Sequence, residues 1–289
     1  MNIRTCRTTE AVLSIGNPPL LHLRINPFAL ASHGVQRVKY HYRLYSQLES
    51  NMSTYESLSE KLQSHLGLAH PPIAITFCES TPSDVPELGA DYPAPTEDGR
   101  TGAVAAGCVF WIKASEATFA TKPSDHGNCS VGSLTHGLIS LEEAAEHSDV
   151  QAICEANWVT PEIFPHIPTV SKKPEAIVYG PLSEATKNPH VVLLRLLARQ
   201  AMQLHAAIPD LRFEGKPQCH IIPIAHEHQE PSVSVGCMLS RVRTGMGNSE
   251  MTCAIPFDRL SEVVAQLESV CAADRLVAAY ASQDKVRFN

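Results

Sequence analysis

The sequence predicts an α+β fold, a mixed sheet with flanking helices. Three observations point there. Short apolar, β-branched runs led by proline, such as 73–77 (IAITF) after Pro71 and Pro72, read as buried strands. Other stretches carry a helical stripe, with Leu58, Leu62 and Leu66 four residues apart in the first of them. The chain of 289 residues is 44% hydrophobic and 18% charged, which is globular composition and enough length to bury a large core.

The elements follow in order. Residues 54–66 form one amphipathic helix, which Gly67 ends. The strand 73–77 follows, and then a surface loop over 80–102, rich in Pro, Asp, Gly and Thr. The apolar run 103–117 reads as a buried helix or as a strand followed by a helix, and periodicity does not separate the two. TFAT (118–121) is a short strand, a turn follows it, and a small-residue helix starts near Ser130. Residues 141–156 form one acidic helix.

A second round begins with the strand EAIVYGPL after Pro174. Residues 190–208 hold a strand and then a helix. CHIIPIA (219–225) is apolar, SVSVGC (232–237) alternates as a strand, and MTCAIP (251–256) is a strand. The amphipathic helix 257–271 places Leu260, Val263, Val264, Leu267 and Val270 on one side. Each round has a proline-led strand followed by two cysteines, Cys108 and Cys129 in the first, Cys219 and Cys237 in the second. This reads either as a degenerate duplication with halves 52–160 and 170–289 or as coincidence among short strands.

Charge divides the chain differently. Residues 1–51 carry six basic groups and two acidic ones, while the remaining residues bring the formal total to -7. That basic segment reads as a leader before a single domain over 52–289. It is either a transit-type or disordered tail or, as the favoured reading, an over-extended start with translation beginning at Met52. The acidic body argues against a general phosphate-backbone binder, and 6% aromatics argues against a stacking platform for single strands, so no nucleic-acid partner is expected. No window reaches the ~18 apolar residues of a membrane span. A cytoplasmic protein is the expectation, and there most of its nine cysteines should be thiols or ligands.

Thiolates are soft ligands, and four of them suit zinc or an iron–sulfur cluster. The metal candidates are Cys108, Cys129, Cys219 and Cys237, although the compact C-x2-C spacing of zinc ribbons and ferredoxins is missing. Cys129 sits at a turn into a helix, which favours a thiolate, and His126 three residues earlier is the candidate proton carrier or additional ligand. His136 reads as a surface or capping residue. His220, His226 and His228 would share a face on a strand, yet an exposed polar loop is the favoured reading. Arg241 and Arg243 are the candidates for holding a carboxylate or phosphate, with solvated loop charges as the equal alternative. Cys6, Cys154, Cys253 and Cys271 read as packing residues, and Cys78 is left open.

Several strings together resemble one family. They are LGLAHPPIAITF (66–77), Cys108 to Trp111, DHGNCSVGSLTHGL (125–138), NPHVVLLRLLARQAMQL (188–204), Cys219, and SVSVGCMLSRVRTGMGNSEMTCAIP (232–256). In order and spacing they are similar to the "domain of unknown function 169" family of prokaryotic proteins, over about Met52 to Tyr280. The resemblance implies no activity. It does imply that the four cysteines fall in recurring motifs. Many members carry Gly-x-Arg after the last cysteine, and here the glycine is missing, which puts a tight loop there in doubt.

The expectation is therefore a site of four cysteines holding a metal or iron–sulfur cluster for redox or sulfur chemistry, served by a small molecule or a redox partner. The alternatives are a metal-free thiol enzyme using Cys129 and a non-catalytic binder of a small anion through Arg241 and Arg243.

Overall fold

The computed structural model describes residues 54–88, 107–215, 217–244 and 246–284, so the expected leader lies outside the described residues. The described residues make one compact unit. Its centre is a seven-stranded sheet built from β1 (Ile73–Cys78), β2 (Phe119–Thr121), β3 (Ala176–Pro181), β4 (Val191–Leu196), β5 (Arg212–Glu214), β6 (Ser232–Ser234) and β7 (Met251–Pro256). The spatial order is β2-β3-β1-β4-β7-β6-β5. Among the described strand pairs only β5–β6 is parallel, so the sheet is mixed and the fold is α+β. The two proposed halves share this sheet: β1 of the first lies between β3 and β4 of the second.

Alternation along the strands creates two cores. On one face Ala74, Val192, Leu194, Val233, Cys253 and Ile255 pack against α1 (54–66), α6 (Ala198–Ala207) and α9 (Leu260–Asp284). The Leu58, Leu62 and Leu66 stripe of α1 lies there as expected, and Gly67 ends the helix at φ +63°. Cys253 and Cys271 are packing residues of this layer. On the other face Ile73, Ile75, Ile177, Tyr179, Val191 and Leu193 meet α2 (Gly107–Lys113), α3 (Ser130–Thr135) and α7 (Ile221–His228).

Four stretches correct or resolve the sequence reading. The acidic helix is two, α4 (Leu141–Glu146) and α5 (Ser148–Glu155). Ser140 and Glu143 close a capping box at the first start, and His147 is extended between the two helices. Asp149 in the first turn of α5 accepts from Ser130 N at 3.0 Å and Ser130 Oγ at 2.7 Å, tying α5 to the start of α3. The apolar run from Cys219 folds as a 3-10 turn (Gln218–His220) and α7, with Pro223 in the first turn, where a missing N–H costs little. The ambiguous apolar run resolves into α2 over its described part. The last helix runs to Asp284 rather than 271, and Leu276, Val277 and Tyr280 on that extension are exposed.

Candidate functional site

The four candidate cysteines come from four separate connections on one face of the sheet. Cys108 lies on the buried helix α2. Cys129 is the N-cap of α3, and its Sγ accepts from Gly132 N at 3.4 Å. A Cβ at Gly132 would stand 3.3 Å from that sulfur, so the glycine leaves room for the thiol against the helix start. Cys219 lies in the 3-10 turn before α7, and Cys237 lies between β6 and α8 (Met238–Thr244). All four line one cavity of about 50 Å³, measured as the space open to the centre of a water molecule. Ile153, Trp158, Ile163, Phe164 and Ile167 supply an apolar wall. Gln218, Ser240 and Thr244 complete a polar corner, with Gln218 Nε2 donating to Ser240 Oγ at 2.8 Å.

The eight described cysteines carry no disulfide. Burial pushes the Cys108 thiol up to about 12, and the neighbouring thiols of Cys129 and Cys237 add to it, against hydrogen bonds from Gln218 and Ser240. Burial also holds Cys219 well above the usual thiol range, with Cys108 and Cys129 adding and a Thr135 hydrogen bond opposing. The inner two sulfurs are thus protonated at neutral pH, while Cys129 and Cys237 are only half-buried. Among the described residues no group of three or more His, Cys, Asp and Glu side chains is drawn close enough to hold a single metal ion.

His220 also lines the cavity. Its Nε2 is buried without a hydrogen-bond partner, and burial lowers its pKa to about 4. Reading the three histidines as an exposed polar loop missed this, because His220 ends a buried 3-10 turn and His226 and His228 lie in the last turn of α7. His226 stacks on Phe77, ring centroids 4.8 Å apart, and lies 3.7 Å from Glu227.

His126 is not among the residues lining the cavity. It is buried in the core beneath α2, edge-on to Phe110 at 4.8 Å, and His136 lies 5.8 Å from it between ring centroids. His136 is fully buried rather than a surface cap, because the short α3 directs its C-cap residue into the same layer. Arg241 is also largely buried. It donates through Nη2 to Val235 O at 3.3 Å and to Glu250 O. Gly236, at φ +120°, lies against that guanidinium, and a Cβ there would run into Nη2. The glycine beside Cys237 therefore makes room for an arginine of the same chain, which locks the Cys237 loop onto the start of β7. The Arg243 side chain lies outside the described residues. Cys78 is half-buried at the end of β1, away from the cavity, and borders a separate cleft.

The arrangement offers soft sulfur ligands in a narrow, mostly apolar space too small for a nucleotide or an organic cofactor, whose sites run to several hundred Å³. A family model described as DUF169, uncharacterised ArCR, matches residues 61–266. No curated protein and no solved structure matches the chain.

Proposed function

The chain belongs to the DUF169 family, and from that premise we propose that Cys108, Cys129, Cys219 and Cys237 hold an iron–sulfur cluster that exchanges electrons with a redox partner or supports sulfur chemistry. One observation carries the reading: four thiols from four connections surround a single cavity. Between the two kinds of centre, we favour a cluster over zinc. A lone ion with Zn–S bonds of about 2.3 Å needs its sulfurs gathered tightly, and no such group exists among the described residues. A cluster spreads its irons apart, so its four cysteines stand wider. Burial and the nearby hydrogen-bond donors Gln218 and Ser240 are the levers that tune such a centre. Loading it releases the protons that burial keeps on Cys108 and Cys219. Such thiols belong in a reducing compartment, which is the basis for placing the protein in the cytoplasm. No described helix is long and apolar enough to cross a membrane.

The metal-free thiol enzyme remains the second reading, favoured by the Gly132 N–H that Cys129 accepts. Binding of an anion through Arg241 has less support, since its guanidinium is engaged by two backbone carbonyls.

The deciding experiment is anaerobic purification followed by reconstitution with ferrous iron and sulfide. The cluster reading expects a brown protein with iron and acid-labile sulfide in equal amounts, both lost in Cys129→Ser and Cys237→Ser. A folded protein that stays colourless and iron-free after reconstitution sinks it. Rapid alkylation of Cys129 in that same protein would support the thiol enzyme instead.

A further inference from the structure

The connection from β6 to β7 supplies one wall of the thiol cavity and is joined to the sheet at a single place. Ser234 at the end of β6 pairs with Thr252 at the start of β7, so residues 235–250 leave and re-enter the sheet side by side. A compact connection with adjacent ends can swing without disturbing the strands. On its inner side Cys237, Leu239, Ser240 and Thr244 line the cavity, while Met238 and Val242 are exposed on its outer side. One guanidinium closes the connection on itself. Arg241 Nη2 donates to Val235 O at 3.3 Å and to Glu250 O, the first and last residues of the segment. Gly236, at φ +120°, provides the turn that admits this arginine. Away from the strand ends, Gln218 holds the segment to the body: its Nε2 donates to Ser240 Oγ at 2.8 Å and to Met246 Sδ at 3.6 Å. The closed arrangement leaves Gln218 Oε1 buried without a partner. That oxygen gains water when the segment lifts, which lowers the cost of opening.

We infer that residues 235–250 are a flap over the thiol cavity, hinged at the paired ends of β6 and β7 and latched by Gln218, and that its opening is the route to Cys108 and Cys219. Closed, the cavity of about 50 Å³ is too narrow to pass a reagent or a cluster, and these two cysteines are only 9% and 4% exposed. The Arg241 clamp makes the flap move as one body, because it ties the two ends to each other rather than to another part of the protein. Cys237 rides on the flap, whereas Cys108, Cys129 and Cys219 belong to other connections. A centre bound by all four thiols therefore pins the flap shut. That consequence rests on the cluster reading above; the flap itself does not.

The test uses the full-length, metal-free, reduced protein, so it is independent of what the cavity holds. Short pulses of N-ethylmaleimide are scored by mass spectrometry on singly labelled molecules, cysteine by cysteine. Cys253, at 0% exposure in the opposite layer, reports global unfolding. Cys108 and Cys219 are expected to react at least about tenfold faster than Cys253 and with a weaker dependence on urea, because lifting a flap exposes less surface than unfolding. One common rate and urea dependence for all three would overturn the flap. Two variants then probe its two sides. Gln218→Leu removes the latch, and Gly236→Ala drives a Cβ into the Arg241 guanidinium. Each should raise the Cys219 rate relative to Cys253 by about three- to tenfold, the worth of a lost hydrogen bond. Measuring the ratio cancels any general loss of stability. A ratio unchanged in both variants would show that another wall opens, and the proposal would fall.

Discussion

Removing the Glu250 carboxylate should cost the protein more than any surface substitution. Arg195 projects from β4 on the face that carries the thiol cavity and is paired with Glu250, with side chains only 6% and 12% exposed. The pair is bidentate: Nε meets one carboxylate oxygen, and Nη2 donates to the other at 3.1 Å. That second oxygen also accepts from Gly247 N at 3.2 Å. Glu250→Ala leaves a guanidinium buried with no counter-charge, which costs about 3–5 kcal/mol. Urea unfolding followed by circular dichroism measures it. With a slope of about 3 kcal/mol per molar for a chain of this size, the midpoint should fall by about 1–1.7 M. The companion double variant Arg195→Met, Glu250→Leu removes both charges and should recover most of the loss. A loss below about 1 kcal/mol in Glu250→Ala, or no recovery in the double variant, would refute the view that the pair is buried and mutually dependent.

Acid should weaken the fold through His136, which burial keeps neutral down to about 4 against the ordinary 6.5. Between those values the unfolded chain is protonated and the folded one is not, so stability is complete above pH 6.5 and falls toward pH 4. The fall reaches about 3 kcal/mol, and His126, lowered by burial and then by His136, adds in the same direction. Urea melts across that range check it, and a flat profile counts against the burial. Gly137→Ala should cost upward of about 2 kcal/mol, because φ is +70° and a Cβ there collides with Val170 O. A melting temperature unchanged in that variant would contradict the geometry. Cys253→Ser places a hydroxyl in the apolar layer opposite the cavity and should cost about 1–3 kcal/mol while leaving iron content after reconstitution as in the parent.

The local patterns were readable because their causes are local. The Leu58, Leu62 and Leu66 stripe makes a helix wherever it packs, and the run IAITF makes a strand through its β-branched side chains. The cysteines were legible as a set because paired motifs singled out four of nine, and one cavity receives those four. Cys253 and Cys271 pack in the opposite layer, as their surroundings in sequence suggested. The histidines were not legible. His220 looked like part of a polar loop and lines the cavity, while His136 does cap α3 but at 0% exposure rather than at the surface. A lone histidine carries no periodic signal, so its environment depends on which helix lies across it.

Arg241 makes the same point from the other side. Its place after a cysteine and a glycine reads equally well as an anion site, but the turn at Gly236 brings its guanidinium onto Val235 O and Glu250 O. Sequence alone determined the fold class, the strands β1 to β4, β6 and β7, the helices α1, α3, α6 and the start of α9, and which cysteines to compare, but not β5, α7, α8 or the break between α4 and α5. Tertiary structure decided that β1 lies between β3 and β4, so that connections more than 100 residues apart in sequence meet on one face. The physical reason is range. Alternation and helical stripes act between near neighbours, whereas a shared cavity depends on strand order and on burial summed over the whole sheet.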